Sequence, residues 1–181
     1  MGFRVSYFAC QDMEPSEVCA RLELAQTHVN AEPFESPFSI AVLPTGWTVL
    51  ALNDELYVDE ERLVALSKGG RTVLACQVVD TTNYAASACH VDAEQQWMVI
   101  HNSLEAATTD LQIFRTPPPE FAAVRDRLTA QQKAQPPGDD AVDYVADIPV
   151  ELVYQLCGFR HDRWKFDWGE PVFTEVTATK P

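Results

Sequence analysis

The chain has 181 residues, with 27 acidic against 13 basic side chains and a formal net charge of −14. Its length favours one domain with a core of its own, and a hydrophobic content of 46% excludes a disordered chain. Nucleic-acid binders gather Lys and Arg over phosphates; the nearest approach here, residues 160–165, is interrupted by Asp162, so nucleic acid is excluded as an expected partner.

Residues 3–9 carry Phe, Val and Tyr in loose alternation and read as an opening strand. Residues 15–24 place Val18, Leu22 and Ala25 at helical spacing, with Pro15 suited to a first turn. Residues 26–37 hold Pro33 and Pro37 with little periodicity, and read as loop. Residues 38–43, a turn at Pro44, Thr45 and Gly46, and residues 47–52 make a hairpin pattern. Asp59 can cap a short helix through Leu66, with Gly69 and Gly70 ending it.

Residues 71–80, 83–91 and 96–101 then read as consecutive antiparallel strands on short polar turns, and 111–114 adds another. Pro117, Pro118 and Pro119 introduce the longest helix, 120–133, with Phe121, Val124 and Leu128 on one stripe. Residues 135–140 (QPPGDD) are the clear linker and are expected to be exposed. Asp147 caps a last helix, Pro149 lies just inside its start, and Gly158 stands where it should stop. Strands grouped between helices predict an α+β fold: a mainly antiparallel sheet with about four helices packed on it, in a single domain over residues 1–181.

The five cysteines, Cys10, Cys19, Cys76, Cys89 and Cys157, form no C-x-x-C pair and no zinc-like tandem. Together with an N-terminus that runs straight into a strand, this predicts free thiols in a reducing cytoplasm. No apolar run approaches the roughly 18 residues of a membrane span. No catalytic, metal or phosphate-cradling signature is present, so the reading is against an enzyme, and neither a cofactor nor a metal is expected.

The sharpest local pattern is RWKFDW at residues 163–168, an aromatic at every second position with charges between. On a strand, Trp164, Phe166 and Trp168 would form one row, with Arg163, Lys165 and Asp167 behind it. Such a row belongs either in the core or against a partner. Trp164, Phe166, Trp168, Arg163 and Lys165 are therefore the candidate partner-binding residues.

An alternative site comes from the central strands. With symmetric turns, Leu74 faces Cys89 and His90 faces Trp97, which gathers Tyr84, His90, Trp97 and His101 on one polar, aromatic face suited to a small-molecule ligand. A thiol–imidazole pair of Cys157 and His161 is a further candidate, set against a buried structural cysteine. The acidic runs at Asn53, Asp54 and Glu55, and at Asp139 and Asp140 with Asp143, lack calcium-loop spacing and read as solvated faces.

MGFRVSY at residues 1–7, DIPVEL at 147–152 and GFRHD at 158–162, with Gly46, Trp47, Asn53 and Asp54 between them, resemble a family of bacterial proteins of unassigned function. The resemblance implies a bacterial cytoplasmic protein and supplies no activity or catalytic residue. With the charge and the aromatic row, the expectation is a small acidic interaction domain, of the immunity or antitoxin type, that inhibits a toxin with a basic surface. The alternative is a small-molecule-binding protein or enzyme using the face of His90, Trp97 and His101.

Overall fold

The computed structural model describes residues 2–103, 111–136 and 142–179. Within them the chain forms β1 (Arg4–Gln11), α1 (Pro15–Arg21), β2 (Leu24–Ala31), β3 (Phe38–Val42), β4 (Trp47–Leu52), α2 (Glu60–Ser67), β5 (Thr72–Val79), β6 (Tyr84–Val91), β7 (Glu94–Asn102), β8 (Leu111–Arg115), α3 (Glu120–Ala134), α4 (Ile148–Cys157) and β9 (Phe173–Ala178). The nine strands make one antiparallel sheet in the order β2-β9-β3-β4-β1-β5-β6-β7-β8. The fold is α+β, as the grouping of strands predicts.

The sheet is covered on both faces, which explains why β1 is buried at six consecutive positions instead of alternating. Val5, Tyr7 and Ala9 point to the face that carries α3 and α4, with Val49, Leu74, Cys76 and Val99. Phe8 and Cys10 point to the other face, with Leu50, Leu52, Val73 and Ala75, beneath α1 and α2. The apolar stripe of α3 is Phe121, Val124 and Leu128, while α4 is buried nearly all round.

Several elements follow from local chemistry. The Asp59 carboxylate accepts from the Arg62 backbone N–H at 2.8 Å and starts α2. Gly46 takes φ +86° in the β3–β4 hairpin. Gly158 closes α4 at φ +83°, its N–H donating to the Tyr154 carbonyl at 2.8 Å. A Cβ there would also lie 2.9 Å from Thr45 Cγ2, so both the backbone and the space require glycine.

Other expectations are corrected. The stretch 26–37 is not all loop: β2 occupies Leu24–Ala31 and pairs with β9, from the far end of the chain. Its periodicity is broken by an irregularity between Gln26 and Asn30, where His28 takes φ +62°, so no alternation betrays the strand. The helix expected over 15–24 stops at Arg21 for the same reason, because Leu24 and Ala25 enter β2. Asp147 precedes α4 but makes no capping bond with its side chain, which Arg160 engages instead. The linker expected at 135–140 lies outside the described residues from position 137 onward.

Candidate functional site

The register of the central strands decides the fate of the alternative site. Leu74 pairs with Cys89, as expected. Beyond that the turn is tighter than a symmetric reading allows: Asp92 and Ala93 both adopt left-handed backbone (φ +50° and +66°), and Val91 pairs directly with Glu94. A register shift between Cys89 and His90 then sets Cys89, not His90, opposite Trp97. Trp97 and His101 therefore share the face of α3 and α4, while His90 points to the opposite face, toward α2. The single face expected for Tyr84, His90, Trp97 and His101 does not form.

Each of these residues has a packing role of its own. His90 is fully buried, with Nε2 3.1 Å from the Glu60 carboxylate. Trp97 is buried in the core. His101 is fully buried, with Nε2 3.3 Å from Asp143, an ion-pair distance without hydrogen-bond geometry. Tyr84, at the start of β6, lines two hollows. One is a space of about 240 Å³ under α2, floored by Ala75, Ala88 and Met98; the other is a larger cleft at the end of the sheet.

Residues 163–168 do not form a strand. Phe166 and Gly169 exchange backbone hydrogen bonds of 2.9 and 3.0 Å across a tight turn, with Gly169 at φ +120°. The Phe166 ring is drawn into the core beside Phe159, at 5.7 Å between centroids. Trp168 stacks on Phe166 at 4.9 Å and 6°, and its indole N–H donates to the Gly158 carbonyl at 3.1 Å. Arg163 lies over the Tyr154 ring at 4.8 Å, and Lys165 is exposed, 4.0 Å from Glu170. Trp164 is left 84% exposed. The row is split: one ring inside, one half-buried and pinned, one presented to solvent.

Just before that turn stands a buried ion network. Arg160 is 6% exposed. Its Nε donates to Asp162 at 2.6 Å; Nη1 reaches Glu151 at 2.8 Å and Asp147 at 3.3 Å; Nη2 reaches Asp147 at 2.8 Å and Asp162 at 2.9 Å. All the N–H groups of the guanidinium are thereby engaged. Glu151, itself buried, also receives Arg127 at 2.7 Å. Burial acts against the Arg160 charge, but the bonds and charges of Asp162 and Asp147 outweigh it and raise its pKa. Burial raises the Asp147 pKa despite Arg160, whereas for Asp162 burial is outweighed by the bond and charge of Arg160 and its pKa falls.

This network forms one wall of a cleft of about 400 Å³ at the end of the sheet, where the start of β1, the β5–β6 turn and the approach to α4 converge. Its lining includes Phe3, Tyr84 and Tyr144, together with Asp80, Asp143 and His161. Asp80 accepts from the Phe3 N–H at 2.8 Å, and Asp143 accepts from the Asn83 amide at 2.6 Å and from the N–H groups of Val145 and Ala146. His161 packs edge-on against Phe3 at 4.9 Å, and its Nδ1 is buried without a partner among the described residues. Burial lowers its pKa, against the charge of Asp162.

From the sequence, Arg160 and Asp80 carry no site assignment, and Asp143 reads only as part of a solvated acidic run. One signal was available: Asp147 and Glu151 place carboxylates four residues apart along an apolar helix, which calls for a cation nearby. The Cys157–His161 pair is not formed as a nucleophile and base. The Cys157 thiol points to the Phe159 carbonyl at 3.7 Å, and burial pushes its pKa up to about 12. Asp54 accepts from the Leu56 N–H and Glu55 pairs with Arg4, while Asp139 and Asp140 lie outside the described residues. Among the described residues, no group of three or more His, Cys, Asp or Glu is arranged to hold a metal ion, and no helix is long and apolar enough to cross a membrane.

No protein-family model, curated protein sequence or solved structure matches this chain.

Proposed function

We propose that this chain is a non-enzymatic interaction domain of the bacterial cytoplasm that binds and inhibits a toxin with a basic surface. The observation that carries this reading is Trp164, 84% exposed at a bend two residues before the turn that Phe166 and Gly169 close. A large ring with only two side-chain torsions loses little conformational freedom on binding, and tryptophan is enriched among the residues that dominate interface energies. Arg163 and Lys165 flank it in the chain. The net charge of −14 supplies the long-range attraction. It accelerates encounter with a basic surface and weakens with salt.

Where the neighbouring gene encodes a large secreted effector, its product is the first partner to titrate. Wild type should bind it with an affinity that falls as salt rises from about 0.05 to 0.5 M, as the screening length shrinks. Trp164→Ala should weaken binding by about thirtyfold or more, and Trp164→Phe by less. Unchanged affinity for Trp164→Ala, or binding indifferent to salt, would sink the reading.

A further inference from the structure

We infer that the cleft between the β5–β6 turn and the start of α4 binds a small organic cation, an alkylammonium or alkylguanidinium. The sign of its ligand follows from what the wall has to offer. Asp80, Asp143, Asp147 and Asp162 line the cleft against the single positive charge of Arg160, a formal excess of three negative charges. Arg160 cannot serve an anion, because its N–H groups are already bonded to Asp147, Glu151 and Asp162. The N-terminal end of α4 contributes a partial positive charge of only about half a unit, too little to reverse the field.

The shape and the remaining chemistry agree with that sign. A volume of about 400 Å³ falls in the range of small-molecule sites. Phe3, Tyr84 and Tyr144 supply aromatic wall, which favours cations over anions. The His161 ring, edge-on against Phe3, adds a further face to that wall. Carboxylate oxygens already accepting from Phe3, Asn83, Val145 and Ala146 are held in place before the ligand arrives. Such fixed acceptors suit a ligand with several N–H donors on an apolar stem.

Calorimetric titration with agmatine at low ionic strength tests this, with inorganic phosphate as the opposite-charge probe. Wild type should bind agmatine saturably at one site and should not bind phosphate. Asp80→Asn and Asp143→Asn should each weaken agmatine about tenfold or more, the loss of one bond between charged groups. Asp126→Asn, on the exposed side of α3, should change nothing. Far-UV circular dichroism excludes any variant that fails to fold, and the comparison of agmatine with phosphate on wild type decides the sign without a variant. No saturable binding up to about 10 mM agmatine, too weak to count as a site, overturns the proposal. So does phosphate binding, or folded Asp80→Asn and Asp143→Asn proteins that bind as wild type does. Trp164→Ala should leave agmatine binding intact, so this site and the protein interface stand or fall separately.

Discussion

The indole N–H of Trp168 donates to the carbonyl of Gly158 at 3.1 Å and so ties the aromatic turn to the end of α4. The bond meets a carbonyl at a helix terminus, where intrahelical partners run out. It also keeps Trp168 flat against Phe166. Trp164, four residues earlier in the chain, has no such anchor among the described residues and is 84% exposed.

The two tryptophans should therefore separate cleanly in stability. Trp164→Ala should change unfolding free energy by no more than about 0.5 kcal/mol, as at an exposed site without partners. Trp168→Ala removes a stacked ring and a hydrogen bond and should cost about 1–3 kcal/mol. Phe166→Ala empties a core position and should cost about 3–5 kcal/mol. Urea denaturation of the three variants measures the order; a Trp164→Ala protein as destabilised as Phe166→Ala would mean that the turn is packed differently.

Arg160 should behave as a structural cation that lysine cannot replace. Arg160→Met leaves Asp147, Glu151 and Asp162 without their shared partner, and breaking a buried pair from one side costs about 3–5 kcal/mol. Lysine offers one ammonium where the planar guanidinium reaches all three carboxylates, so Arg160→Lys should also be clearly destabilised. A denaturation midpoint for Arg160→Lys equal to that of wild type would show that charge alone is required.

What could be read from the sequence was what its neighbours decide. The β3–β4 hairpin, the Asp59 cap and the Gly158 stop follow from residues within a few positions of each other, and the structure has all three. The pairing of β2 with β9 joins Leu24 to Ala178, a contact that no local pattern encodes. His90 and Trp97 were set opposite each other by a symmetric turn; a two-residue hairpin and one register shift were enough to part them. The alternation in residues 163–168 was real, but the pull of the Phe159 cluster on one ring outweighed strand formation, and no neighbouring strand pairs with that stretch among the described residues. The cleft depends on Asp80, Asp143 and Arg160, which are brought together only by the finished sheet.

Acid sensitivity should trace in part to His161. Burial holds its pKa below the ordinary value of 6.5. The unfolded chain takes up a proton as pH falls through about 6.5 while the folded one does not, so this residue's contribution is complete above that pH and is lost below it. His161→Gln removes the linkage and should flatten the decline of stability in the window that opens below about pH 6.5 relative to wild type. Asp162, with a lowered pKa, loses its contribution only below its ordinary 3.8, and so cannot mimic the effect in that window. Parallel stability–pH curves for the two proteins would mean that His161 titrates alike in the folded and unfolded chain.

The thiols should be inert in the native protein and all present in the denatured one. All five cysteines are free and buried. Burial pushes Cys10, Cys76 and Cys157 up to about 12 and Cys89 up to about 11. At pH 8 a thiol with a pKa near 12 is ionised in only about one molecule in 10,000, against about one in four at an unperturbed site, and the thiolate is the reacting species. A thiol-specific chromogenic reagent should therefore find almost no reactive group in the folded protein within minutes, and all five after denaturation without reductant. Cys19 should be the first to react on longer exposure: its pKa is raised, but it lines a surface hollow of about 300 Å³ beside the short helix α1. Fewer than five thiols in denaturant would reveal a disulfide that the fold does not contain, and an early reaction at Cys76 or Cys157 would reveal that the sheet opens beneath α4.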